Sequence, residues 1–262
     1  MDPDKSKEIL KILYTQSKPY HDLIAKSEDS GFTYDDFLAG IIGKCMPEYG
    51  ETIRLLDVAS GTGHYLKAAR ESGAFSCGVD LSLYACRMAR ERDLSVFQAD
   101  AECLPFKNDA FDVVVCLQLL EHTIYPEKVI AEISRVLRPG GSLFLSAPNM
   151  LGSNRLSRSL RGIKWFFSGR VKDLKTLPEG IVEEWERAVE PSSVNDMDAC
   201  NRSNVFQAFN LLRMNDLRVE HVDTLRHPLK YSPRQYAWAK AGQRIPLIKY
   251  TGINFKIIAR KR

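Results

Sequence analysis

Arg54-Leu55-Leu56-Asp57-Val58-Ala59-Ser60-Gly61-Thr62-Gly63-His64-Tyr65-Leu66 is the stretch on which the fold turns. An apolar run of strand length enters a Gly-x-Gly turn and leaves it as the amphipathic stretch His64–Ser72. Glycines let backbone approach a ligand closely, and a helix that starts there presents unbonded N–H groups, so the three parts together predict a cofactor cradle. Read alone, the turn is equally compatible with ordinary loop geometry, because glycine turns between strand and helix are common.

Outward from the turn, strand and helix patterns alternate. Strands are predicted over Phe75–Asp80, Ser95–Ala99, Phe111–Leu117 and Ser142–Ala147, and helices over Ser82–Arg90 and Pro126–Leu137. That rhythm predicts a parallel sheet with crossover helices, an α/β fold wound on both faces. Phe111-Asp112-Val113-Val114-Val115-Cys116-Leu117 is nearly continuous apolar, as a central strand covered on both faces should be. Arg138-Pro139-Gly140-Gly141 is expected to end one helix and turn sharply into the next strand. Upstream, residues 5–45 carry two or three helical patterns. The rhythm breaks over 150–203, which opens with basic and aromatic residues (Arg155, Arg158, Arg161, Lys164, Trp165, Phe166, Phe167, Arg170, Lys172) and runs to an acidic piece, Glu183–Glu186. It resumes with a helix at Ser203–Met214, a strand at Leu217–Thr224, a loop rich in proline and aromatics, and a last strand at Asn254–Arg260. The expected organisation is therefore a helical cover over 1–50, a core domain from 51–149 and 204–262, and a cap insertion over 150–203.

Composition narrows the function classes. The 262 residues are 44% hydrophobic and 27% charged, enough to bury a sizeable core. A formal charge of +4 argues against a chain whose main work is gripping a nucleic-acid backbone. The opening residues Met1–Glu8 are polar, and nothing reaches the roughly 18–20 apolar residues of a membrane span, so a cytoplasmic protein is expected. Six scattered cysteines form no C-x-x-C pair and read as reduced thiols rather than a metal site or disulfide framework.

Three acids carry the chemistry. Asp57 lies inside the first strand, Asp80 ends the second, and Asp100 follows the third. Ligands of open parallel sheets bind at the carboxyl ends of the strands, and an acid about 20 residues past the glycine turn can hold a ribose diol. Asp80 fits that position. Asp100 and the Ala101 N–H then suit the edge of a base, the carboxylate accepting from an exocyclic amine. Each acid singly reads as a helix cap or surface charge; their order and spacing argue together.

Leu56–Gly63, Gly78-Val79-Asp80-Leu81-Ser82, Ala99–Phe106, Phe111–Val115, Leu120-Glu121-His122 and Arg135–Gly141 resemble the successive motifs of the class I S-adenosylmethionine-dependent methyltransferases. The branch they resemble is that around the ubiquinone and menaquinone biosynthesis methyltransferases. The resemblance covers about residues 53–148 and implies a Rossmann-like seven-stranded sheet, mostly parallel with an antiparallel last strand. It implies S-adenosyl-L-methionine as cofactor and S-adenosyl-L-homocysteine as product. By position, Ala59, Ser60 and Gly61 would meet the methionine part beside Asp57 and Gly63, and Asp80 the ribose. Leu81 would lie on an adenine face, with Asp100 and Ala101 at its edge. Leu117 and Gln118 would border the methyl group, and Tyr20 would lie over the methionine carboxylate. Ala59 departs from the glycine that many relatives have there. A dehydrogenase reading of the turn wants a third glycine where this chain has Leu66.

Methyl transfer from a sulfonium needs alignment and dry walls more than bonding groups. An oxygen or nitrogen acceptor still carrying its proton needs a base, and His122 is the candidate; its alternative is to orient a loop. Some relatives bind a divalent metal through Glu-x-x-Glu-His. Here the string is Gln118-Leu119-Leu120-Glu121-His122, whose amide is a poor cation ligand, so no metal is expected. The acceptor is expected to be a small molecule held by the N-terminal helices and the 150–203 insertion. The basic, aromatic run there suits an anionic or lipid-linked acceptor, a peripheral membrane contact, or a merely solvated face. Two rival classes stay open: an RNA methyltransferase, for which no base-flipping motif or RNA-binding module is found, and a non-enzymatic cofactor-binding scaffold. Oligomeric state is not legible.

Overall fold

The computed structural model describes residues 53–149, 203–223 and 254–262. Expectations about the 1–50 cover with Tyr20, about 150–202 and about the loop preceding the last strand lie outside the described residues.

Seven strands form one sheet: β1 (Arg54–Val58), β2 (Phe75–Asp80), β3 (Val96–Gln98), β4 (Phe111–Leu117), β5 (Leu137–Pro148), β6 (Leu217–Asp223) and β7 (Asn254–Lys261). Their spatial order is β3-β2-β1-β4-β5-β7-β6, mostly parallel with antiparallel pairing in the last strands. Four helices are described: α1 (His64–Glu71), α2 (Leu83–Arg90), α3 (Pro126–Val136) and α4 (Val205–Met214). The order reverses between β1 and β4, and a crevice at such a switch point is where open sheets bind ligands.

The chain divides into two compact units. In the first, β1 pairs in parallel with β2 (Val58 opposite Val79) and with β4 (Val58 opposite Cys116). β2 pairs in parallel with β3. Leu55, Leu56 and Val58 of β1 and Val113–Cys116 of β4 are fully buried, side chains of both faces alike, which explains the near-continuous apolar runs. At the amino ends of β1 and β4, Asp112 accepts from the Arg54 N–H (2.7 Å), Nε (3.1 Å) and Nη2 (3.1 Å), and Arg138 Nε lies 2.8 Å from its other side. Burial opposes ionisation of Asp112, but the bonds from Arg54 outweigh it and hold the carboxyl below its usual range.

In the second unit, α4 is capped by Asn204, whose Oδ1 accepts from the N–H groups of Phe206 and Gln207 at 3.0 Å. Ser203 Oγ donates to the Pro148 carbonyl (2.6 Å) and the Val205 N–H to Asn149 Oδ1 (3.2 Å), so the residues on either side of 150–202 are stapled together.

One expectation is corrected. Gly140 and Gly141 do not cap α3 or turn the chain into a strand at Ser142: the strand begins at Leu137, directly after the helix. Leu137 is already extended (φ −77°, ψ 130°), and its carbonyl accepts from Lys261 Nζ at 2.7 Å. Gly141 is needed for closeness instead, since a Cβ there would lie 2.9 Å from the Arg138 carbonyl and from Leu137. Smaller differences follow from capping: Ser82 precedes rather than opens its helix, the helix expected from Ser203 begins at Val205 after the Asn204 cap, and β3 is trimmed to Val96–Gln98.

Candidate cofactor site

The glycine turn is held by β2. The Ser60 N–H donates to the Val79 carbonyl (3.0 Å), the Gly61 N–H to Asp80 Oδ2 (2.8 Å), and the Gly63 N–H back to the Ser60 carbonyl (2.9 Å). Asp80 Oδ1 accepts from the Ser82 N–H at 2.8 Å, so one carboxylate fastens the turn and the start of α2 at once. Ser82 Oγ in turn caps α2 through the Ala85 N–H (3.2 Å). The Ala99 N–H donates to the Asp80 carbonyl (3.0 Å) and Gln98 Nε2 to the Leu81 carbonyl (3.1 Å), which brings Asp100 and Ala101 beside Asp80 and Leu81.

The turn needs unusual backbone. Ala59 (φ 61°), Gly61 (φ 54°) and Gly63 (φ 83°) all take left-handed conformations. For Gly63 closeness adds to this, because a Cβ would lie 2.6 Å from Leu94. Above Gly61, by contrast, a Cβ would meet nothing within 4 Å among the described residues. Gly78, opposite the turn on β2, is fully committed: a Cβ there would lie 2.5 Å from Ser60 Oγ and 2.8 Å from Leu66.

Ala59 stores strain, since a Cβ in the left-handed region costs about 1–2 kcal/mol, partly offset by the extra freedom glycine has when unfolded. Ala59→Gly is therefore expected to stabilise the chain by up to about 1 kcal/mol, raising the melting temperature by a few degrees, which differential scanning calorimetry of the two proteins checks. A lower melting temperature would show that the methyl group packs usefully.

Electrostatically the site is an acid pair. Asp57, 1% exposed, has an Oδ2 without a hydrogen-bond partner among the described residues, and buried Ser60 Oγ shares that condition. Burial pushes the Asp57 carboxyl well above the usual range, and the charge of Asp80 adds to this. Asp80 is raised too, burial outweighing the bonds from Ser82 and Gly61. Cys77, beneath them, is pushed up to about 11, chiefly by burial and then by Asp57.

Leu117, half-buried, ends β4 one residue past the Val58–Cys116 pairing. The remaining expected residues belong to the second unit. There Gln118 takes a left-handed conformation (φ 53°), its N–H donating to the Ser146 carbonyl (2.7 Å) and its Nε2 to Ser146 Oγ (3.2 Å). Such strain in a non-glycine residue is found where a site over-determines the backbone. His122 lies with Nε2 3.8 Å from Oε1 of buried Glu121. The structure thus gathers Asp57, Ala59, Ser60, Gly61, Gly63, Asp80, Leu81, Asp100 and Ala101 in the first unit, and Gln118 with His122 in the second. The sequence reading misses the double tie of Asp80 to Gly61 and Ser82. An N-cap serine two residues after a strand-ending acid is the signal for half of it.

A family model described as a methyltransferase domain matches residues 56–145. A ubiquinone biosynthesis O-methyltransferase of Hahella chejuensis is 31% identical over 160 residues, 56% of this chain and 63% of the relative. One of Idiomarina loihiensis is 32% identical over 176 residues, 63% of this chain and 67% of the relative. The chain thus spans about two thirds of the length of the curated relatives it matches. A solved S-adenosylmethionine-dependent methyltransferase of Mesorhizobium loti superposes with a TM-score of 0.53 over 85% of this chain and 96% of its own, at 16% identity, a likeness of fold.

Proposed function

Because this chain belongs to the class I S-adenosylmethionine-dependent methyltransferases, we propose that it moves a methyl group from S-adenosyl-L-methionine to a small-molecule acceptor. The relatives' name favours an oxygen acceptor. The observation that carries the reading is the Asp80 clamp on Gly61, where, among the described residues, nothing stands above that glycine and a buried carboxyl oxygen of Asp57 has no donor. A nucleoside with a cationic amino-acid tail fits both.

When bound, the cofactor supplies an electrophilic methyl group on a sulfonium. The chain's part is placement. Asp80 keeps lone pairs beyond its two backbone bonds for the ribose hydroxyls, and Asp57 offers its unmatched oxygen to an ammonium group. Leu81, Asp100 and Ala101 take the adenine, while Ala59, Ser60 and Gly63 shape the floor. Leu117 and Gln118 border the transferred group, and His122 takes the acceptor's proton where one must leave. Tyr20, the helical cover and the 150–203 segment serve the methionine carboxylate and the acceptor, whose anionic or lipid-linked character the basic run favours. Among the described residues no helix is long and apolar enough to cross a membrane. We place the reaction in the cytoplasm.

Labelled methyl transfer into a metabolite extract, read by mass spectrometry beside an RNA substrate, tests the assignment. Transfer to RNA alone, or none with bound cofactor, would overturn it. Turnover is expected to survive EDTA, because Gln118 stands where a metal-binding carboxylate would be needed. Loss of activity restored by magnesium would instead make Glu121 and His122 sufficient as ligands.

A further inference from the structure

The family motif from Arg135 to Gly141 meets no ligand in the reading above, yet Arg135 is tied closely to the loop that carries Asp100. That loop, 99–110 between β3 and β4, has no regular structure. Its start is folded on itself, the Glu102 N–H donating to Asp100 Oδ1 (2.9 Å) and the Cys103 N–H to the Asp100 carbonyl (3.0 Å). Its continuation leans on α3. Arg135 Nε and Nη2 donate to the two oxygens of Glu132, one turn earlier, at 2.7 and 2.8 Å. The other guanidinium hydrogens reach the loop: Nη2 to the Leu104 carbonyl (2.9 Å), Nη1 to the Phe106 carbonyl (2.7 Å) and Asn108 Oδ1 (3.0 Å). Glu132 Oε2 accepts from the Leu104 N–H at 2.7 Å, so the pair grips both backbone groups of buried Leu104. All five N–H donors of the guanidinium are committed, a planar array that lysine cannot reproduce.

We propose that Glu132 and Arg135 are positioning residues for the purine edge: by fixing Leu104 they fix Asp100 and Ala101, and so set a preference for a 6-amino over a 6-oxo purine. This rests on the reading that Asp100 and Ala101 meet adenine. A 6-amino group donates to the Asp100 carboxylate, and the neighbouring ring nitrogen accepts from the Ala101 N–H. A 6-oxo purine inverts both, setting carbonyl against carboxylate and N–H against N–H. Such a mismatch is rejected only while the loop is unable to move aside and leave the pairs apart. The ion pair supplies that stiffness; bonding to the guanidinium holds the Glu132 carboxyl below its usual range.

Calorimetric titration with S-adenosylhomocysteine and with its 6-oxo counterpart, S-inosylhomocysteine, tests this on the wild type, Arg135→Lys and Glu132→Gln. The wild type is expected to prefer the adenine compound, and each variant to lose about 3- to 30-fold of that ratio. Any unfolded fraction lowers both apparent affinities equally and cancels in the ratio, and either variant suffices if the other fails to fold. Unchanged ratios with lowered melting temperatures would make the pair purely structural and overturn the proposal alone. A wild type indifferent to the 6-substituent would overturn the adenine reading and the proposal with it, and a wild type binding neither compound would remove the cofactor assignment itself.

Discussion

Asp80→Ala is expected to weaken binding of S-adenosylhomocysteine by about 30- to 1000-fold, the loss of two charge-assisted hydrogen bonds to a ribose at about 2–4 kcal/mol together. Asp80 also accepts from the Gly61 and Ser82 N–H groups, so removing it loosens the turn and the start of α2 as well as stripping the site, and a lower melting temperature is expected beside the lost affinity. Calorimetry on the folded variant gives the affinity, and thermal unfolding without ligand gives the control. An unchanged dissociation constant in a folded Asp80→Ala protein would sink the cofactor assignment.

Asp57→Asn is expected to act in opposite directions on folding and binding. The Asp57 carboxyl is raised in the folded chain, so the folded state keeps a proton that the unfolded state gives up near pH 4. Its contribution to stability is complete below that pH and is lost as pH rises through the folded value. Asp112 and Glu132, which are lowered, behave oppositely and have delivered their contributions by the time pH passes about 4. Above that pH the ligand-free wild type should lose stability relative to the variant. By neutrality the variant should be more stable on the order of 1 kcal/mol, since it buries an amide beside Asp80 in place of a second acid. Binding of the cationic cofactor should fall about 10- to 100-fold over the same range. Urea denaturation at several pH values, with titration calorimetry at pH 7, checks both halves. A variant less stable at every pH would mean that Asp57 holds the turn together rather than waiting for a ligand.

Much of the first unit is legible in the sequence because its punctuation is local. Strands at Phe75–Asp80 and Phe111–Leu117 end where acids or turn residues stand, and the observed bounds agree. The Arg138–Gly141 stretch misleads for the opposite reason. Pro-Gly-Gly carries a strong local turn signal, but Lys261 and Asp112 take hold of Leu137 and Arg138 from 124 and 26 positions away, and such contacts leave no trace in a short window. The site divides the same way. Spacing alone placed Asp57, Asp80 and Asp100 at strand ends. That Asp80 clamps Gly61, that Asp57 Oδ2 has no donor among the described residues and that Arg135 grips a loop 27 to 31 positions upstream are facts of packing.

The strand order also sets a timetable. β7 is synthesised after both β5 and β6, yet it lies between them in the sheet. A nascent chain that has just delivered β6 holds two strand edges that are not yet joined, and the slot between them stays open until Asn254–Lys261 leaves the ribosome. Open edges of that kind invite pairing with other chains. Speed of elongation from β6 to β7, and any chaperone that shields the slot meanwhile, should therefore govern how much of this protein a cell recovers in native form.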